Sequence, residues 1–346
     1  MREQTALALS GLTTLRIGGP ARRVVVAETE AEIVSVVRDA DAAGEPLLVM
    51  GGGSNLVVAD EGFDGTVLRV ESHATTRAAE AAPAEHALVL EAGVDWDHAV
   101  ELAVHEGFAG VEALSGIPGF VGAAPVQNIG AYGQEVSQTI AWARALDRTT
   151  GDVVLLDNVA CGFAYRDSVF KGSDRYVVLS VAFALEHSRL GAPVRYAELA
   201  RRLGVEVGER APAVEVRDAV LGLRREKGMV LDAADHDTWS AGSFFTNPVL
   251  RSTEADRLLP ADAPRWPEAD GRVKTSAAWL IEHSGFGKGY GHGAARVSDK
   301  HTLALTNRGG ASTEDVLSLA RELRDGVRAR FGITLIPEPV LVGCTL

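Results

Sequence analysis

Three consecutive glycines, Gly51, Gly52 and Gly53, run into Ser54 and Asn55 directly after the apolar stretch Leu47 to Met50. Glycine tolerates positive φ and lets the backbone approach a ligand closely, and N–H groups turned the same way form a nest suited to a phosphate or pyrophosphate. The spacing is not that of a dinucleotide fingerprint, and the Gly-Lys-Ser/Thr ending of a phosphate loop is missing. A glycine-rich hairpin turn is the plain alternative. A second segment, Leu114 to Gly133, carries five glycines and two prolines among small residues. It cannot be one regular helix, and with side chains this small the backbone amides and carbonyls become the lining of a site that a flat heterocycle would fit.

Charged and hydroxyl groups recur in equally distinctive settings. Tyr165 to Lys171 sets the Arg166 guanidinium between aromatics, where its rigid fork suits a carboxylate; a surface arginine is the ordinary reading. Ala241 to Pro248 places Ser243 after Gly242 and ahead of Phe244 and Phe245, without the G-x-S-x-G of a serine hydrolase. Taken alone, it reads as a buried strand. Glu338 stands between Pro337 and Pro339, so its backbone is stiff and its carboxylate aimed, although a solvated C-terminal glutamate is commoner. Gly285 to Gly291 has no strand before it and is rejected as a dinucleotide motif, but Lys288 within it could meet a phosphate.

The elements that must position these groups are legible from period and punctuation. Thr29 and Glu32 make a T-x-x-E capping box, Ile33, Val36, Val37 and Ala40 an apolar stripe, and Gly44 with Pro46 a stop, which predicts a short helix. Strands are expected at Leu47 to Met50, Val67 to Val70, Ala87 to Leu90, Val153 to Leu156 and Tyr176 to Leu185, with a helix from about Trp96 to Glu106. The Ala/Glu-rich stretch Ala78 to Ala87, with Pro83, reads as a loop or domain junction. Helices are expected again from Val214 to Arg225, around Thr275 to His283, and after a Ser312/Asp315 box with the stripe Val316, Leu319, Leu323 and Val327. Gly332 should end the last before a strand Ile333 to Ile336. The fold class is α+β.

Composition bounds the possibilities. With 346 residues the chain exceeds one ordinary domain, and 46% hydrophobic against 23% charged residues is a folded globular composition. Acids outnumber bases 47 to 34, for a net charge of −13, which argues against nucleic acid or an anionic membrane as partner. The two cysteines, Cys161 and Cys344, lack metal-ligand spacing, so no metal site is expected and two unpaired thiols are. No stretch approaches ~18 consecutive apolar residues, and a cytoplasmic location is expected.

These segments, in this order, resemble the UDP-N-acetylenolpyruvylglucosamine reductases, flavoenzymes that complete UDP-N-acetylmuramate for bacterial peptidoglycan. The resemblance runs from Thr14-Leu15-Arg16-Ile17-Gly18-Gly19-Pro20 through Gly51 to Asn55, Ser115 to Gly133, Tyr165 to Lys171, Gly242 to Pro248 and Ala277 to Glu282 to Pro337-Glu338. It implies an FAD-binding region of the PCMH (vanillyl-alcohol-oxidase-like) type in two subdomains, 1–75 and 76–225, with a substrate-binding domain at 226–332. The C-terminal strand, about 333–346, should return to the first subdomain. Non-covalent FAD would be held by Gly51, Gly52, Gly53, Ser54, Asn55, Ser115, Gly116, Ile117, Pro118, Gly122, Ala123, Ala124, Gln127, Asn128, Ile129, Gly130, Ala131 and Tyr132. Arg166, Ser243 and Glu338 correspond to the catalytic trio, and Tyr196, Lys227, Asn247 and Lys288 to the contacts with the nucleotide sugar. Tyr196 resembles the branch of the family that keeps a substrate-covering loop. Two positions depart from the family pattern: Gly287 lengthens the segment before Lys288, and Pro339 replaces the usual valine, where it is expected to tilt the last strand.

The resemblance implies reduction of UDP-N-acetylglucosamine enolpyruvate with NADPH as co-substrate. Hydride from flavin N5 would reach the terminal alkene carbon, and the resulting enediolate would be protonated by Ser243. Arg166 would meet the carboxylate; Glu338 would orient Arg166 or donate from its protonated form. With no separate dinucleotide site visible, NADPH is expected to share the substrate cleft. Another flavin oxidoreductase of the same architecture, or a non-catalytic flavin-binding module, are the competing readings. Oligomeric state is not fixed by the sequence, a monomer being the default.

Overall fold

A computed structural model describes residues 1–77 and 87–346. Most of the expected Ala78 to Ala87 junction therefore lies outside the described residues; Ala87 itself begins a strand. Internal contacts divide the chain into two compact units where the sequence suggests three segments. The first comprises Met1–Leu7, Ala21–Gly53 and Asp64–Val230; the second comprises Ala8–Pro20, Ser54–Phe63 and Leu231–Leu346.

The first unit holds two sheets over a shared core. A four-stranded sheet contains Arg2–Ala8, Pro20–Ala27, Phe63–Val70 and Leu47–Met50 in that spatial order, the last two parallel. Helix α1, Glu30–Ala43, buries Ile33, Val36, Val37 and Ala40 as its stripe requires, and Gly44 closes it at φ 62°. Only half of the expected capping box forms. The Thr29 hydroxyl accepts the Glu32 N–H, but the Glu32 carboxylate takes the Glu28 N–H and the Met1 ammonium. A free ammonium is the stronger donor and draws the carboxylate outward.

A five-stranded antiparallel sheet follows, ordered Asp152–Asp157, Ile140–Asp147, Tyr176–Ala184, Ala87–Glu91, Thr75–Arg77. Leu146, Val177 and Leu179 from this sheet pack in one cluster with Val25, Ile33, Val36 and Leu68 from the first. That common core is why the two expected N-terminal subdomains group as one unit. Helix α2, Trp96–His105, covers the second sheet with Trp96, Ala99, Val100 and Ala103. Helices α3, Ala197–Leu203, and α4, Ala213–Glu226, pair through Leu199, Ala200, Val216, Val220 and Leu223.

The second unit is built on a three-stranded antiparallel sheet, Ser240–Ser243, Ala304–Asn307, Ala295–Val297. Helices α5, Ser252–Leu258, α6, Ala277–His283, and α7, Thr313–Phe331, contribute to its core, α7 through the expected Val316, Leu319, Leu323 and Val327. The Ser312/Asp315 box is complete, and Gly332 caps α7 at φ 70°. Leu15, Ile17 and Val57 belong to the same core, which explains why residues 8–20 and 54–63 group with the C-terminal part.

The strand expected at Ile333 to Ile336 does not form. The segment is extended, with Ile333 and Leu335 buried and Ile336 exposed, but its only bridge is Pro337 opposite Phe245. Pro337 and Pro339 have no N–H to give a ladder, so regular pairing waits until Val340–Val342, which runs parallel to Leu56–Val58.

Candidate functional site

In the first unit, the two glycine-rich loops meet at backbone distance. A Cβ placed on Gly52 would lie 2.9 Å from the Gly119 Cα, and one on Gly51 3.2 Å from the Phe120 side chain. Gly122 is similarly confined, 2.5 Å from the Ala92 Cβ, and its N–H donates to the Ala92 carbonyl. Gly53, Gly116 and Gly119 have positive φ, as do the non-glycine residues Asn128 and Tyr132. Such strain in non-glycine residues persists only where surroundings fix it.

For Asn128 the surroundings are explicit. Its amide donates to Glu135 and to the Ala164 carbonyl, and its oxygen accepts the Ser137 N–H. Asn128 thus braces the loop from within. Ser115 is fully buried and donates its hydroxyl to the Glu112 carbonyl. Ala124 is buried, its carbonyl accepting the Ile129 N–H; Ala123 ends a short 3-10 turn, and Ile117, Ile129 and Ala131 pack against the α2 core. Gly130 and Ala131 form a two-residue strand with Gln134–Glu135, beyond Gln127 in the same loop.

Behind this loop lies a residue that the motifs did not reveal. Arg224 is buried with its Nε lacking a hydrogen-bond partner, and that Nε is 3.4 Å from where a Cβ on Gly116 would stand. One terminal nitrogen donates to the Met229 carbonyl. Burial pushes its pKa down to about 10, so it remains cationic near neutrality. The signal was in the sequence: a charged side chain beside Val220 and Leu223 on the apolar face of α4. Asp97, at the start of α2, accepts the Gly116 N–H at 2.6 Å and binds Arg217 through both carboxylate oxygens at 2.6 and 2.9 Å. Burial opposes its charge, but the Arg217 and Gly116 bonds outweigh that and hold the carboxyl below its ordinary range.

Arg166 is itself at φ 54°, in a turn closed by Ala164 and Asp167. Its two terminal nitrogens donate to the carbonyls of Asn128 (3.2 Å) and Gly130 (2.7 Å), and the guanidinium lies 5.3 Å from the Tyr165 ring centre. Lys171 donates to the Arg166 carbonyl at 2.8 Å. The fork is therefore oriented by the Asn128–Gly130 loop. At the start of α3, Tyr196 stands edge-on to Tyr132 at 5.5 Å, and at the end of α4, Lys227 lies 5.7 Å from the Tyr132 ring centre. Lys227 pairs with Glu198 at 2.5 Å, a partner that the sequence did not single out. Burial, first, pushes the Tyr132 phenol up to about 12.

The second unit positions the remaining residues. A register shift between Ser240 and Ser243, with Gly242 at φ 75°, puts a bulge into the strand that ends at Ser243. Phe244 and Phe245 are buried in the core beyond it. The Glu338 N–H donates to the Phe244 carbonyl at 2.9 Å, so Glu338 is anchored to the residue that follows Ser243. Asn55 donates its side-chain amide to the Glu338 carbonyl at 3.2 Å. Ser54 begins the Ser54–Phe63 segment of this unit, whereas Gly51, Gly52 and Gly53 belong to the first. Asn247 accepts the Ala277 N–H through its side-chain oxygen, capping α6, and Lys288 is exposed in the turn after α6. The extra Gly287 sits in a turn pinned by Phe286, which covers Gly326 of α7.

Residues 21–157 match the family model of an FAD binding domain, and residues 234–342 that of the UDP-N-acetylenolpyruvoylglucosamine reductase C-terminal domain. The UDP-N-acetylenolpyruvoylglucosamine reductase of Thermobifida fusca is 56% identical over 347 residues, covering 98% of this chain and 97% of that protein. The chain belongs to the UDP-N-acetylenolpyruvoylglucosamine reductase family. The Streptomyces avermitilis reductase is also 56% identical, over 98% of this chain and 94% of its own. Among solved structures, the reductase of Thermus caldophilus matches with a TM-score of 0.68 at 25% identity, covering 99% of both chains.

The reductase fold is α+β, with its FAD-binding region of the PCMH type, and the residues present fit FAD. Loops in backbone contact at Gly52 and Gly119 leave no side chains between them, and Arg224 puts a cationic group whose Nε has no hydrogen-bond partner behind Gly116. Both features suit an anionic diphosphate carried by a flat ring system. Both cysteines are free thiols; Cys161 is buried, and burial pushes its thiol up to about 11. Among the described residues no cluster could hold a metal ion, and no helix is long and apolar enough to cross a membrane.

Proposed function

We propose that this reductase converts UDP-N-acetylglucosamine enolpyruvate to UDP-N-acetylmuramate with NADPH as reductant, in the cytoplasmic synthesis of peptidoglycan precursors. The observation that carries the reading is the anchoring of Glu338 to the residue after Ser243. Two residues remote in sequence, both expected to act in catalysis, share one rigid support. FAD supplies the hydride chemistry when bound; the loops at Gly51 to Gly53 and Ser115 to Tyr132 hold it, with Arg224 behind them.

Arg166 stabilises the negative charge that develops on the enolpyruvyl carboxylate, because its fork is fixed by the Asn128 and Gly130 carbonyls before substrate arrives. Each charged hydrogen bond of this kind is worth about 1.5–3 kcal/mol. Ser243, set by the bulge at Gly242, delivers a proton to the carbon centre, and a positioned donor contributes ~10²–10⁴ in rate. Glu338 orients Arg166 or donates to the intermediate from its protonated form, since an ionised carboxylate beside that charge would repel it. Tyr196, Lys227, Asn247 and Lys288 hold the nucleotide sugar, and the functional division of the chain follows 1–75, 76–225 and 226–332. NADPH uses the substrate's own cleft, so the kinetics are ping-pong.

The test is an absorbance spectrum of the purified protein, followed by anaerobic NADPH and then the enolpyruvyl substrate. Flavin absorbance, its bleaching by NADPH and its recovery with substrate are expected in that order. Protein that is yellow and bleaches but does not recover with this substrate would reject the assignment in favour of another flavin oxidoreductase.

A further inference from the structure

We infer that Asn55 is a positioning residue for Glu338, its side-chain amide tying down the Glu338 carbonyl just ahead of a proline that has no N–H to give the strand. The inference rests on the reading of Glu338 as a participant in the reaction. Between Phe244 to Thr246 on one side and Asn55 to Val58 on the other, the 336–342 segment is the middle of three extended runs. On the first side, Thr246 N–H donates to the Ile336 carbonyl at 3.1 Å and Glu338 N–H to the Phe244 carbonyl at 2.9 Å. On the second, the parallel ladder begins only at Val340, whose N–H donates to the Asn55 carbonyl at 2.9 Å.

Pro339 has no N–H and cannot tie the chain between those two points. The Asn55 amide closes that gap at 3.2 Å from the Glu338 carbonyl. The peptides before and after Glu338 are thus held from opposite sides, by Phe244 and by Asn55. Pro337 fixes its own φ, and Pro339 confines Glu338 to the extended region, so the remaining freedom at Glu338 is a swing within that region. A bond to its carbonyl restrains that swing, and with it the direction of the Glu338 side chain. Asn55 is also among the expected cofactor contacts; its side-chain amide serves the strand that carries a reacting group. This also accounts for how the chain tolerates Pro339.

The experiment compares Asn55→Ala, Asn55→Asp, Glu338→Gln and the double variant Asn55→Ala/Glu338→Gln by FAD titration and by stopped-flow of each half-reaction. Asn55→Asp keeps the shape and removes the donor, so it remains informative should Asn55→Ala fail to fold. Both single Asn55 variants are expected to slow flavin reoxidation by substrate about tenfold. FAD affinity and reduction by NADPH should stay within about twofold, and the double variant should be no slower than Glu338→Gln. Weakened FAD binding with normal reoxidation at saturating FAD would make Asn55 a cofactor contact and overturn the inference, as would additive effects in the double variant. A slow Glu338→Gln beside a normal Asn55→Asp overturns only the inference. A normal Glu338→Gln removes the catalytic reading of Glu338 and the inference with it.

Discussion

Replacing Asp97 by asparagine should destabilise the first unit by about 2 kcal/mol at neutral pH. Arg217 is 11% exposed at its side chain and pairs with an Asp97 that is 35% exposed, while Arg224 is buried close by. Breaking a fully buried ion pair costs about 3–5 kcal/mol, and an exposed pair contributes ~0–1 kcal/mol, so this half-buried case falls between. Asparagine still offers an oxygen to the Gly116 N–H, so the loss is confined to the Arg217 side of the pair, where the charge and one acceptor are removed. Asp97→Ala also leaves that N–H without its acceptor and should cost roughly 1 kcal/mol more. The assay is denaturant unfolding of the FAD-free protein, followed between pH 7 and pH 3. Because the folded carboxyl titrates below its ordinary 3.8, its stabilisation is fully present above that value and is lost as pH falls through the lowered one. Wild type and Asp97→Asn should converge towards the acid end. A constant offset down to pH 3, or a loss under about 0.5 kcal/mol at pH 7, would refute the role given to this pair.

Ser243→Ala should leave flavin reduction by NADPH nearly intact and slow reoxidation by substrate ~10²–10⁴-fold; equal impairment of both half-reactions in stopped-flow would remove Ser243 as proton donor. Gly52→Ala forces a methyl group to 2.9 Å from the Gly119 Cα, and overpacking of ~1–3 kcal/mol should weaken FAD binding by roughly tenfold or more in a fluorescence titration. Glu198→Gln frees Lys227 from its carboxylate and should lower KM for the enolpyruvyl nucleotide several-fold with little change in kcat, read from steady-state kinetics. Tyr132, raised to about 12, should be missing from the tyrosinate absorbance that grows in near pH 10, and Tyr132→Phe should leave that phase unchanged. Since the folded protein keeps this proton longer than the unfolded chain, the Tyr132 contribution is intact below pH 10 and is lost as pH climbs towards 12.

Local rules were enough wherever an element is decided by its own residues. The stripe and αL cap of α1, the complete box of α7 and the strand that feeds Gly51 follow from short-range spacing, and the structure reproduces them. The α1 box failed in part because the Met1 ammonium, a distant group, competes for Glu32. The strand expected at 333–336 failed because alternation of buried and exposed residues reports an extended chain, whereas a ladder also needs a partner strand in register, and the nearest pairing is the isolated bridge of Pro337 with Phe245.

From the sequence came the α+β class and the two glycine loops and, through the family resemblance, the expectation that Arg166, Ser243 and Glu338 act in catalysis. Residue type sets what chemistry is available, and that information is local. What only the tertiary structure decided is which groups hold those residues still. The carbonyls of Asn128 and Gly130 orient Arg166, Asn55 and Phe244 pin the peptides around Glu338, and Arg224 lies behind Gly116. Hydrogen bonds between segments far apart in the chain leave no periodicity to read, since their partners are chosen by packing.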